Sequence, residues 1–155
     1  MKKIALALLL FLLPASWSLA AEPPRPAPSP VERAVDAITL KPNWDRIELT
    51  TPSINGRPDI KSTQYSLTLW YKPEAKVTSE AEVEADTKLI ARAVLAELVR
   101  QGRNPAEERI RLFVYGRQQT RGGETGGQVV RTFGNAMYDF NRDRLGFAPR
   151  YHQWR

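Results

Sequence analysis

The run from Ser79 to Gln101, SEAEVEADTKLIARAVLAELVRQ, constrains the fold more than any other stretch, because both of its ends and its buried side are marked. Ser79 can cap a helix, and Glu82, three residues on, can return the bond as a capping box. Gly102 supplies a left-handed stop, with Pro105 beyond it. Val83, Ile90, Val94 and Leu98, widened by Ala91, Leu95 and Val99, form an apolar stripe at helical spacing. Glu80, Glu82, Glu84 and Asp86 crowd the start, while Arg92, Arg100 and Arg103 lie toward or just past the end, so the charges complement the helix dipole. A helix with one oily side needs a surface to lie on. The β-like runs on either side of it make a sheet the partner.

Before the helix, Trp44 to Thr51 (WDRIELTT) alternates as a half-buried strand. Pro52 to Lys61 reads as a turn-rich connection, tightest at Asn55-Gly56. Gln64 to Lys72 (QYSLTLWYK) puts Tyr65, Leu67, Leu69 and Tyr71 on one face and Ser66, Thr68, Trp70 and Lys72 on the other, and Pro73 ends it. After the helix, Arg109 to Arg117 alternates again, Gln118 to Gly127 is a glycine-rich connection, and Gln128 to Asn141 is a long last strand with a bulge or bend expected at Gly134. Arg142 to Arg155 has room for one more short strand before a basic, aromatic tail. The fold class is therefore α+β: a small, mainly antiparallel sheet of about four strands in β-β-α-β-β order, the long helix on one face and a short helix before it. That short helix starts at a second capping box, Ser29-Pro30-Val31-Glu32, with Val31, Ala34, Val35 and Ile38 on one side.

The first residues are read apart from this domain. Lys2 and Lys3 precede an apolar run, Ile4 to Leu13, then Pro14 and the small residues Ser18 and Ala20, the pattern of a secretory signal peptide over 1–20. Residues 21–30, AEPPRPAPSP, are half proline and form an extended leader. A single domain follows from 31 to 155. There are no cysteines, which excludes disulfides, thiolate chemistry and a lipid-modified cysteine. The expected localisation is periplasmic or secreted. Of 23 basic residues, losing Lys2 and Lys3 leaves 21 against 17 acidic, a mild net +4 that suits anionic envelope material or an acidic partner surface as well as plain solubility.

On the sheet face turned away from the helix, alternation places Trp70, Arg111, Phe113 and Tyr115, joined by Arg131 and Phe133 from the last strand. Rings and guanidinium groups together suit stacking on sugars or contact with a protein partner, since both lose little entropy on burial. The competing expectation is that the N-terminal helix or the tail covers this face as a second core layer. Gly122 to Gly127 lacks the Lys-Ser/Thr ending and the following helix of a phosphate cradle and reads as a mobile hairpin loop. Asp139 to Asp143 repeats oxygen donors like the start of a calcium loop, but Arg144 and Arg150 stand where its glycine and glutamate belong, so a strand-to-turn junction is expected instead. His152, in the tail, lacks the scaffold of a general base, and Glu107-Glu108 beside Arg109 reads as loop solvation. The tail Phe147 to Arg155 is expected to pack back on the domain.

These features add up to an exported, non-enzymatic binding or assembly module that contacts an envelope protein or an anionic envelope polymer. No catalytic residue, metal or cofactor is assigned, nucleic acid is not a partner, no transmembrane segment remains once the signal is cut, and the oligomeric state is left open. The alternatives are a small cell-wall or polysaccharide hydrolase using an Asp/Glu pair, and a structural subunit that assembles by strand addition.

Overall fold

The computed structural model of the chain describes residues 27–55, 61–122 and 126–150. Its elements are α1 (Pro30–Asp36), β1 (Trp44–Asn55), β2 (Ser62–Tyr71), α2 (Glu80–Arg100), β3 (Ile110–Arg121), β4 (Gln128–Asp139) and β5 (Arg144–Pro149). The strands form one sheet of five in the order β1-β2-β3-β4-β5. Three of its pairings are antiparallel, and the fourth, β2 with β3, is parallel.

The α+β class stands, with two corrections to the expected sheet. The room left after Arg142 does become a fifth strand, β5, set against β4. The strands either side of α2 also run in the same direction. A helix of 21 residues carries the chain back about 30 Å along the sheet, so the strand after it starts where the one before it started. Two boundaries also move. β1 runs on through Pro52 to Asn55 with a register shift between Thr50 and Ser53, and β3 continues through polar Gln118 to Arg121. The expected tight turn at Asn55-Gly56 falls partly outside the described residues, as do the signal peptide, most of the proline-rich leader and the last five residues of the tail.

Both helices start as the sequence indicates. Ser29 and Glu32 make a reciprocal capping box on α1. On α2 the Ser79 hydroxyl accepts from the Glu82 N–H at 3.2 Å, but the Glu82 carboxylate does not return the bond and accepts instead from Asn43 Nδ2 at 2.9 Å. Gly102, at φ +76°, stops the helix in the left-handed region, and the Arg103 N–H reaches back to the Leu98 carbonyl.

The core lies between α2 and one face of the sheet. Val83, Ile90, Ala91, Val94 and Leu98 are fully buried against Leu67, Leu69, Leu112 and Val114, and α1 adds Val31 and Ala34 to the same cluster. Val99, at the margin of the expected stripe, is 60% exposed. At Gly116 the helix comes so close that a Cβ would stand 2.7 Å from Val83 Cγ1. Asp86, placed by sequence among the dipole-matching acids, is buried in this core. Its carboxylate accepts from Lys41 Nζ at 2.5 Å, Trp44 Nε1 at 2.9 Å and the Tyr71 hydroxyl at 3.1 Å. Burial, then Asp86 itself, push the Tyr71 phenol pKa far up.

Among the described residues no helix is long and apolar enough to cross a membrane.

Candidate functional site

Because α2 covers one side of the sheet and α1 packs on α2, no described element covers the other side. The N-terminal helix is therefore not the second core layer weighed above. Of the tail, Phe147 to Pro149 belongs to β5, with Phe147 against the core, and the residues from Tyr151, His152 included, lie outside the described ones.

Strand parity fills the open face. Along β3 it receives Arg111, Phe113, Tyr115, Arg117, Gln119 and Arg121, since Leu112, Val114, Gly116 and Gln118 are buried on the helix side. The register sets Trp70 of β2 beside Arg117 and, across β1, beside Arg46. These groups do not project singly. Phe113 and Tyr115 lie nearly parallel, 12° apart with centroids at 6.2 Å, and the Arg117 guanidinium sits 4.9 Å over the Tyr115 ring. The three form a column along the strand. Arg46 lies 4.9 Å over Trp70, and Glu48 ties the two together, accepting from Arg46 Nε at 2.9 Å and Trp70 Nε1 at 2.6 Å. Those bonds, the Arg46 one first, lower the Glu48 pKa. At the far end Arg111 stands 5.7 Å from the Phe140 ring.

Two residues expected here are elsewhere. Phe133 is buried in the core, edge-on to Tyr71 at 5.9 Å. Arg131 stands opposite Gln118, on the helix side of the sheet, and is exposed there. The cause is one bulge. Gly116 pairs with Gly134 but Arg117 pairs with Thr132, so Phe133 is an extra residue and every β4 side chain before it changes face. The bulge was foreseen at Gly134, and its effect on parity was not. Arg46, Glu48 and Arg117 were missed. Their signal was available in part, since 46 and 48 alternate with half-buried Ile47 and Leu49 and 117 continues the row 111, 113, 115, whereas buried Trp44 shares the parity of 46 and 48 and is set on the other face only by a register shift after it.

The site is electrostatically lopsided. Arg46, Arg111, Arg117 and Arg121 share the face with the carboxylates Glu48 and Asp139, and Asp45 also pairs with Arg46. Among the described residues no carboxylate is within ion-pair reach of Arg111, Arg117 or Arg121. Arg117 Nε is also the one shielded side-chain nitrogen or oxygen among them without a hydrogen-bond partner.

The other candidates have local roles. In the β4–β5 turn, Asp139 Oδ1 accepts from the Asn141 N–H at 3.0 Å and Asp143 Oδ1 from the Tyr138 hydroxyl at 2.6 Å, with Asp143 at φ +45°. Among the described residues no group of three or more His, Cys, Asp or Glu is placed to hold a metal ion. Gly122 to Gly127 joins the antiparallel strands β3 and β4, with the Gly122 N–H bonded to the Gly127 carbonyl, and residues 123–125 lie outside the described ones. Glu108 pairs with Arg103.

No protein-family model and no curated protein sequence matches the chain. Among solved structures, the chain is similar to one described as the sex pheromone staph-cAM373 precursor, with a TM-score of 0.50 and 11% identity over 77% of this chain and 39% of that one. This chain therefore spans about two fifths of that structure's length, and at such identity the likeness is one of fold alone.

Proposed function

We propose that this chain is an exported, non-enzymatic module that binds a protein partner of the cell envelope through the open face of its sheet. The observation that carries this reading is the column Phe113, Tyr115 and Arg117 beside the Arg46–Trp70 pair, on a side that no described element covers. A patch of this kind on a small domain is the usual mark of an interaction surface, and Trp, Tyr and Arg are the residues that carry most binding energy at such surfaces. Stacking and the Glu48 bonds already hold the groups in place, so little conformational freedom remains to be lost on association.

The geometry favours a protein over a polysaccharide. A sugar needs a free ring face to lie on, and here Trp70, Tyr115 and Phe140 each have a guanidinium over one face while Phe113 is stacked on Tyr115. What the surface offers is stacked rings and the guanidinium groups of Arg111, Arg117 and Arg121, which have no carboxylate partner among the described residues, and this fits an acidic protein surface. Export is supported by the double-lysine, apolar and small-residue pattern of residues 1–20.

The test is recovery of partners from an envelope extract on the immobilised chain and on a Phe113→Ala, Tyr115→Ala variant shown to be folded. The variant is expected to recover at least one partner about tenfold less well, a loss of ~1.4 kcal/mol. Equal recovery of every partner by both proteins refutes the reading.

A further inference from the structure

The parallel strands β2 and β3 do not finish together, and the step between them forms a cleft. Their last register pair is Tyr71 with Gln118. The Lys72 N–H then turns to the Asn43 carbonyl, and Pro73 has no N–H with which to continue the ladder. The Gln118 side-chain amide holds the departing loop by the carbonyls of Lys72 and Ala75, each at 2.8 Å. β3 meanwhile runs on through Gln119, Thr120 and Arg121, paired among the described residues on the β4 side alone. Between loop and strand lies a space of about 580 Å³, lined by Asp45, Arg46 and Trp70, by Pro73 and Glu74, and by Gln119 to Arg121, with the Asp45 carboxylate already taken up by Arg46.

Successive strand residues turn N–H and C=O to alternate sides, so at least one of Gln119, Thr120 and Arg121 presents a complete donor and acceptor pair to this cleft. No backbone group of the described loops bonds to it. We propose that the cleft receives an extended segment of a partner polypeptide, which takes up the line that β2 abandons at Pro73 and pairs with Gln119 to Arg121. Unpaired main chain selects for main chain, which a sugar or a small anion does not supply. The volume falls within the range of sites that enclose a ligand segment. Arg121, without an ion-pair partner among the described residues, assigns an acidic side chain to the segment position opposite it, on the open-face side. This site does not depend on the aromatic column, since neither Phe113 nor Tyr115 lines it.

The experiment pans a phage library of linear peptides on the whole chain and synthesises the enriched sequences. Peptides carrying Asp or Glu are expected to slow hydrogen exchange at Gln119 to Arg121. Their affinity is expected to fall about tenfold or more with Glu74→Trp, which fills the cleft, and with Arg121→Glu. Against Arg121→Glu a peptide with Lys in place of its acid regains affinity, while the Phe113→Ala, Tyr115→Ala variant binds like the parent. Failure to enrich any peptide overturns the proposal. So does protection confined to other amides, or undiminished binding by both cleft variants.

Discussion

Asp86 shows how one side chain can hold three separate parts of a chain. Its carboxylate collects Lys41 from the segment before β1, Trp44 from the first residue of β1 and Tyr71 from the last residue of β2. A buried charge is tolerated only when such donors replace water. Asp86→Ala leaves the buried Trp44 and Tyr71 donors without an acceptor, while the exposed Lys41 turns to water, and is expected to lower stability by about 3 kcal/mol, read as a shift of the urea midpoint at unchanged slope. Its burial was legible, since position 86 falls between Val83 and Ile90 on the apolar stripe. Its donors were not, because they come from elements 15 to 45 residues away. Tyr138 makes a second test. Burial first, and then Asp143, push its pKa up from 10 to about 12. The folded value lies above the unfolded one, so the stability Tyr138 contributes is complete below pH 10 and is lost as pH rises toward 12. Asp143→Asn keeps a residue tolerant of positive φ but removes the charge. An ultraviolet titration of the tyrosines is expected to show the Tyr138 midpoint move down in that variant.

At the scale of elements, two glycines face each other where the sheet is most crowded. Gly116 lies under Val83, and the Cβ missing from its partner Gly134 would meet Phe147 Cζ at 2.6 Å. Gly116→Ala pushes α2 away from β3 and is expected to cost about 1–3 kcal/mol, measured by denaturant unfolding, with the amide spectrum changing most in α2. The neighbouring bulge marks the limit of what alternation can say. Capping residues, stripe and strand parity are local patterns, and they located α1, α2 and the faces of β2 and β3. A bulge is a mismatch between two strands, so Gly134 could announce one but could not say that Phe133 would turn inward to Tyr71 and take Arg131 to the other side with it. Trp70, Arg111, Phe113 and Tyr115 lie before or opposite the mismatch and stay where parity puts them.

Over the whole molecule, the sheet is two antiparallel halves joined side by side. The first is β1 and β2, the second β3 to β5, and α2 lies chiefly over the second. A helix resting on a sheet was legible from the oily stripe. The direction of the strands flanking it was not, because parallel and antiparallel neighbours share the same alternation and differ only in the path of the connection. The same join has a consequence for the chain as a covalent object. Only the loop from Lys72 to Ser79 links the halves along the backbone, whereas the β2–β3 ladder, the Asp86 cluster and the seat of α1 on α2 link them through space. Cutting that loop is expected to leave two pieces that find each other again: fragments 27–76 and 77–155, expressed together, should co-purify as a one-to-one pair with the circular dichroism of the parent, and Asp86→Ala should weaken their reunion.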